Sequence, residues 1–147
     1  MWRAANLEPH NGDPPMRTHA ASCVLGSKVY VFGGLGAGAS NQLWALDTIL
    51  HRWERLLPPG PKPPARSAAT LAGDDDAHAV YLFGGLGRVK RDYLKKRDGV
   101  PGATLRTQLH AQRSMFSDVW RFDGTAKRWE ELTFIHMCPA PRRGHTA

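Results

Sequence analysis

The sequence predicts an all-β chain built from four-stranded antiparallel sheets stacked face to face. Three recurrences carry this expectation. Tyr30-Val31-Phe32-Gly33-Gly34-Leu35-Gly36 returns 51 residues later as Tyr81-Leu82-Phe83-Gly84-Gly85-Leu86-Gly87, identical at six of seven positions. Leu43-Trp44-Ala45-Leu46-Asp47 returns as Val119-Trp120-Arg121-Phe122-Asp123, and each first Trp is followed nine residues on by a second, Trp53 and Trp129. Each outer Trp then leads through a Pro-rich stretch to an arginine: Trp53 to Arg66, Trp129 to Arg143 and, at the start, Trp2 to Arg17.

The strands follow in order. Ala20 to Leu25 is an inner strand, Gly26-Ser27 a two-residue turn, Lys28 to Phe32 the second strand, Gln42 to Asp47 the third and Arg52 to Leu57 the outermost. The second unit gives Ala68 to Leu71, Ala79 to Phe83, Asp118 to Phe122 and Arg128 to Leu132, with a longer first turn around Asp74-Asp75-Asp76. Val29 to Phe32 is apolar at consecutive positions, so both faces of that strand need cover, which a stack of sheets supplies. Gly33 and Gly34, like Gly84 and Gly85, can take positive φ and let a neighbouring backbone come close. The Trp pairs offer large apolar area to fill the space between sheets that splay outward.

An aromatic followed by Gly-Gly, a Trp-x-x-Asp-like strand, an outer Trp about twenty residues after the doublet and a period near 50 resemble the kelch repeat. The resemblance covers nearly the whole chain except Leu86 to Ser117. It implies a β-propeller of kelch type with four-stranded antiparallel blades. Two whole motifs and two partial ones make an incomplete ring, so the expectation is a piece of a longer protein or a chain that completes its ring with another. The units divide as the end of a preceding blade over 1–18, a blade over 19–58, a Pro-rich linker over 59–66, a blade over 67–133 with an insert at 86–117, and a linker with the start of a further blade over 134–147. The glycine run after Phe32 has the wrong spacing for a dinucleotide-binding loop and leads into a strand.

Composition agrees: 41% of the 147 residues are apolar and 22% charged, excluding wholesale disorder, while fifteen Gly and eleven Pro predict many turns. Two cysteines, Cys23 and Cys138, do not form a disulfide framework, and no basic stretch followed by an apolar run opens the chain. These features point to a reducing compartment, cytoplasm or nucleus, with no membrane insertion. Of the net charge of +7, the segment from Leu86 to Ser117 carries +6, eight bases against two acids.

In a four-stranded meander the second-to-third connection and the blade-to-blade connection leave at the same end. One rim therefore collects the glycine loop Leu35 to Asn41, the insert after Gly85 and the Pro-rich linkers. The insert exceeds its counterpart in the first unit by 25 positions. Leu105, Leu109 and Phe116 give it a weak helical signal. Its cationic section Arg88 to Arg97, with Lys90, Arg91, Tyr93, Lys95, Lys96 and Arg97, suits an acidic protein surface, nucleic-acid phosphate or anionic lipid alike. Arg17, Arg66 and Arg143 stand at equivalent points before each inner strand and would ring the channel mouth. There they either contact an acidic partner, as the resemblance implies for rim residues, or pack over a neighbouring aromatic and tie down a linker. His19 and His145 stand at matching positions and suit hydrogen bonding at the blade start rather than metal binding.

The resulting expectation is a macromolecular binding module, a kelch scaffold or adaptor that binds a protein with an acidic or polar segment, without cofactor or metal. Gly33, Gly34, Trp44, Trp53, Gly84, Gly85, Trp120 and Trp129 serve as its structural motif. No paired carboxylates, nucleophile context or ligand cluster points to catalysis. The alternatives are a fragment of a kelch-type metal-dependent enzyme, or nucleic-acid binding through the insert.

Overall fold

A computed structural model describes residues 14–88, 113–134 and 139–146. Trp2, Lys90, Arg91, Tyr93, Lys95, Lys96, Arg97, Leu105, Leu109 and Cys138 lie outside the described residues. The first sheet is an antiparallel meander of β1 (Ala21–Leu25), β2 (Lys28–Phe32), β3 (Leu43–Asp47) and β4 (Arg52–Leu56). A short strand β5 (Arg66–Ser67) links it to the second sheet, where β6 (Thr70–Asp74), β7 (Ala79–Phe83), β10 (Val119–Asp123) and β11 (Arg128–Leu132) repeat the meander. Between β7 and β10, β8 (Leu86–Arg88) and β9 (Arg113–Met115) pair with each other, and β8 pairs with β5, making a third, three-stranded sheet.

The two four-stranded sheets pack face to face. Side chains alternate along a strand, so Phe32, Leu43 and Leu56, in register, share a face with Tyr30 and Ala45. That face meets the one bearing Val80, Leu82, Trp120, Phe122 and Trp129. Tyr30 lies 6.1 Å from Phe122, and Trp129 stands edge-on to Phe32 at 5.5 Å and tilted against Phe122 at 5.3 Å. Offset and edge-on aromatic pairs each add about 0.5–1.5 kcal/mol beyond the area they bury. The inner strands β1 and β6 lie side by side, and any Cβ at Gly73 would run into the Val24 carbonyl oxygen.

The acid of each Trp-x-x-Asp-like strand closes the hairpin that follows it. Asp47 Oδ1 accepts the amides of Ile49 and Leu50, and Asp123 Oδ1 those of Thr125 and Ala126. These amides hold both carboxyls below the usual range, Leu50 being the largest influence on Asp47 and Ala126 on Asp123.

Three sequence expectations need correction. The inner strand placed at Ala68 to Leu71 runs instead from Thr70 to Asp74, because Ala68 adopts φ 53° and its amide turns to the His19 carbonyl at 2.8 Å. Phe116, read as part of a helical signal, follows strand β9 and is buried. Trp129 fills the gap between the sheets, but Trp53 shares a face with Leu46 and Val29, which points away from the second sheet, and stays half-buried.

Trp129→Ala should cost about 3–5 kcal/mol in urea denaturation. Trp53→Ala should cost about 1 kcal/mol, since among the described residues no second sheet closes over it.

Candidate functional site: the cleft between the sheets

The glycine doublets mark the joints where successive units meet. At the first, the Gly34 amide donates to the Arg66 carbonyl at 2.9 Å and the Arg66 amide donates to the Ser40 carbonyl at 2.9 Å. Gly33 and Gly34 sit at φ 71° and 93°, conformations that side chains rarely adopt, and a Cβ at Gly33 would collide with the Arg66 carbonyl. At the second joint Gly85 donates to the Arg142 carbonyl at 2.8 Å, and Arg142 donates to the Phe116 carbonyl at 3.2 Å.

While its backbone is tied to the first sheet, the Arg66 side chain enters the second. Nη1 and Nη2 donate to the two carboxylate oxygens of Asp118 at 2.6 and 2.7 Å, Nη1 also to the Gly84 carbonyl at 3.0 Å, and Nε to the Pro64 carbonyl at 3.1 Å. The guanidinium lies 3.8 Å from the Phe116 ring centroid, and Trp120 Nε1 donates to Asp118 at 2.7 Å. Arg66 has 0% of its surface exposed and Asp118 3%. A buried cation is tolerable only when paired and hydrogen-bonded in this way. Arg66 therefore offers no surface to a partner, which corrects its assignment to a partner-binding ring: its donors are used within the fold.

Arg17 repeats the arrangement in weaker form. It reaches the Pro15 and Gly33 carbonyls, but the place of Asp118 is taken by Gln42, whose Oε1 accepts from Arg17 Nη2 at 2.8 Å and from Trp44 Nε1 at 3.2 Å. Partial burial, and then Arg55, press its guanidinium below its ordinary range. No carboxylate partner for Arg17 occurs among the described residues.

The third member of the series is Arg142 rather than Arg143. Arg142 carries the backbone bonds that Arg66 makes at the first joint, and Gly144, at φ 61°, matches His19 at 54° and Ala68 at 53°. The chain of amides confirms the register: Ala68 donates to His19, and Gly144 to Ala68. His145 is thus one position beyond the equivalent of His19, and the matching of those two histidines is corrected with it. Adjacent arginines leave a sequence comparison free to choose either one.

At the end of the sheets where the joints lie, a cleft of about 590 Å³ opens between the two units. The Leu35–Ala39 turn forms one wall and Leu86–Arg88 the other, with Ala65, Ser67 and Ala68 between them and His19 and Arg143 at the lip. The lining is dominated by Ala and Gly, so main chain is accessible along it. Among the described residues its charged groups are Arg88 and Arg143, both exposed, and no acid lines it. The rim expected from the meander geometry thus gathers the glycine loop, the end of the linker and the root of the insert. The insert leaves as the β8–β9 hairpin from the spot where the first unit makes the tight Leu35–Ala39 bridge.

The sequence set Arg143 at the rim as the equivalent of Arg66, a place that belongs to Arg142, while Arg143 itself is among the residues lining the cleft; Asp118 and Phe116, the sheath of Arg66, were not found. The signal for Asp118 was available, since it precedes Trp120 by two residues as Gln42 precedes Trp44. Cys23 is half-buried, and burial pushes its thiol up to about 11, well away from a reactive thiolate. Among the described residues no cluster of His, Cys, Asp or Glu is arranged to hold a metal, and no helix is long and apolar enough to cross a membrane.

The family model described as the KLHDC2/KLHL20/DRC7 Kelch-repeats domain matches residues 1–147. Kelch domain-containing protein 1 of Mus musculus is 32% identical over 143 residues, covering 95% of this chain and 29% of its own. Kelch domain-containing protein 2 of Bos taurus is 28% identical over 138 residues, covering 92% of this chain and 28% of its own. Kelch-like protein 25 of Xenopus tropicalis is 36% identical over 58 residues, 38% of this chain and 10% of its own. The solved structure of YjhT superposes with a TM-score of 0.61 at 23% identity over 90% of this chain and 31% of that one. The chain thus spans less than a third of the length of these proteins.

Asp118→Ala, which strands the Arg66 cation, should destabilise the protein by about 3–5 kcal/mol. Gln42→Asp should complete the same pair around Arg17 and raise the thermal midpoint by a few degrees, about 1 kcal/mol, which differential scanning calorimetry would read directly.

Proposed function

We propose that this chain, which belongs to the kelch-repeat family, is part of a β-propeller that binds another protein by receiving an extended acidic segment in the cleft between its two blades. The family commonly mediates protein–protein interaction. The observation that carries the finer reading is the composition of the cleft: small side chains along its length, two exposed arginines at its edges and, among the described residues, no acid in its lining. Small residues let a partner backbone approach, and the arginines supply bidentate donors for carboxylates. Electrostatic attraction at such a site raises the association rate and falls with salt. The proposed setting is the cytoplasm or nucleus.

The basic section from Lys90 to Arg97 would add to the same field, since its root at Arg88 is a cleft wall. The two contributions are separable. Removing residues 89–112 and joining β8 to β9 by a tight turn like that of the first unit keeps Phe116 and Gly87, which the fold uses.

Isothermal titration calorimetry with a glutamate-rich decapeptide tests the proposal. Arg88→Glu combined with Arg143→Glu should weaken binding at least tenfold, about 1.4 kcal/mol, with the melting temperature little changed. The protein shortened at 89–112 should retain the greater part of the affinity. If the double variant binds as tightly as the parent, the cleft is not the docking site. If a single-stranded oligonucleotide binds more tightly than the peptide and the shortened protein loses it, the basic segment serves nucleic acid instead.

A further inference from the structure

The second joint carries a titratable contact that the first does not. His145 Nε2 lies 2.9 Å from Thr70 Oγ1, and the imidazole stands edge-on to Phe83 at 5.2 Å. At the first joint the matching positions are Ala69 and Ala21, which cannot titrate. His145 Nδ1 is buried and has no hydrogen-bond partner among the described residues. The Thr70 hydroxyl is also 3.5 Å from the Phe83 carbonyl. A network in which Thr70 donates to that carbonyl and accepts from Nε2–H puts the ring in its neutral Nε2–H tautomer, with a bare lone pair at Nδ1. A second proton would go to Nδ1, where no acceptor awaits it.

The surrounding charges oppose that proton as well. Arg142, three residues back, is the cation that bears on the ring. The strands packed against the ring present Thr70 and Phe83 to it, and Val119 pairs with Phe83 beyond. Of the acids of this sheet, Asp74 and Asp123 pair with Ala79 at its far end, Glu130 and Glu131 lie on β11, the edge strand opposite β6, paired with Arg121 and Trp120, and Asp118 is committed to Arg66. Burial first, and Arg142 second, hold the imidazole below the ordinary histidine range.

We propose that neutral His145 latches residues 139–146 onto the second blade, and that protonating it loosens this segment, withdraws Arg143 from the cleft and weakens the docking of an acidic segment. The regulatory half rests on the reading of the cleft as a docking site. The sign follows from linkage. The released imidazole titrates near 6.5 and the latched one lower, so the released form binds more protons between those values. The latch is complete above about pH 6.5 and is lost as pH falls below it. His19 is a second histidine at the cleft lip, so the measurement belongs in a His19→Gln background.

NMR titration of the chain from pH 8 to 5 tests the latch through the Gly85 and Gly144 amides, which bond to Arg142 and Ala68 across the joint. Both should shift with a common midpoint below about 6.5, and the affinity for the glutamate-rich decapeptide should fall roughly fivefold over the same range. His145→Phe, which keeps an aromatic ring against Phe83, and His145→Gln, the second variant should Phe not fit, should each abolish both responses. Silent amides, or pH dependence that persists in the His145 variants, overturns the latch. Titrating amides with unchanged peptide affinity overturn the regulatory half. Titrating amides with no peptide bound at any pH overturn the docking reading and its regulation while leaving the latch in place.

Discussion

Arg66 is the residue through which the two blades become one structure. Its backbone belongs to the first blade, held by Gly34 and Ser40, and its side chain belongs to the second, held by Gly84 and Asp118. Neither half of this arrangement is stable without the other. The guanidinium has left water entirely, and only the bidentate carboxylate, the carbonyls and the Phe116 face offset the cost of doing so. The reward is geometric: a planar fork with fixed partners sets the angle at which the chain passes from one sheet to the next. The aromatic packing of Tyr30 and Phe32 against Phe122 and Trp129 supplies more energy, but it tolerates sliding, and the fork does not.

The glycine doublets follow from the same constraint. A main-chain carbonyl must come within hydrogen-bonding distance of the amide of the second glycine, and the first glycine must present no Cβ to it. Because this is a demand on backbone, it repeats at both joints whatever the side chains nearby. The insert respects it too. It enters after Gly85 and returns before Phe116, carried by β8 and β9, so the doublet and the sheath around Arg66 keep their places in the repeat. Placing extra chain there costs little more than loop closure, which grows slowly with length.

Much of this was legible in the sequence. The doublets, the Trp pairs and the 51-residue period fixed two four-stranded meanders, and three strands, Lys28–Phe32, Ala79–Phe83 and Arg128–Leu132, were bounded correctly. What failed were features set by single torsions or by contacts far apart in sequence. Ala68 breaks its strand through a positive φ that alanine does not advertise. The doubled arginine at 142–143 leaves the register of the last linker to backbone hydrogen bonds. Arg66 and Asp118 are 52 residues apart, and nothing about an arginine in a Pro-rich linker announces that it will be buried. The β8–β9 hairpin escaped notice because its two strands are three residues each and separated by the insert.

The same residue type serves two ends at this rim, and the difference lies in what stands two residues before the inner Trp of the blade. Where it is Asp118, the arginine is neutralised, covered and removed from the surface. Where it is Gln42, the amide accepts one bond from the arginine but cancels no charge, and Arg17 stays half-buried. Arg143 and Arg88 line the cleft, and among the described residues neither has a carboxylate partner. Basic character is thereby stripped from the joint, where it would weaken packing, and left at the lip, where a partner could meet it. A cleft floored by alanine and glycine and edged by exposed guanidinium groups is the consequence of spending one arginine on the fold while leaving its neighbours to the surface.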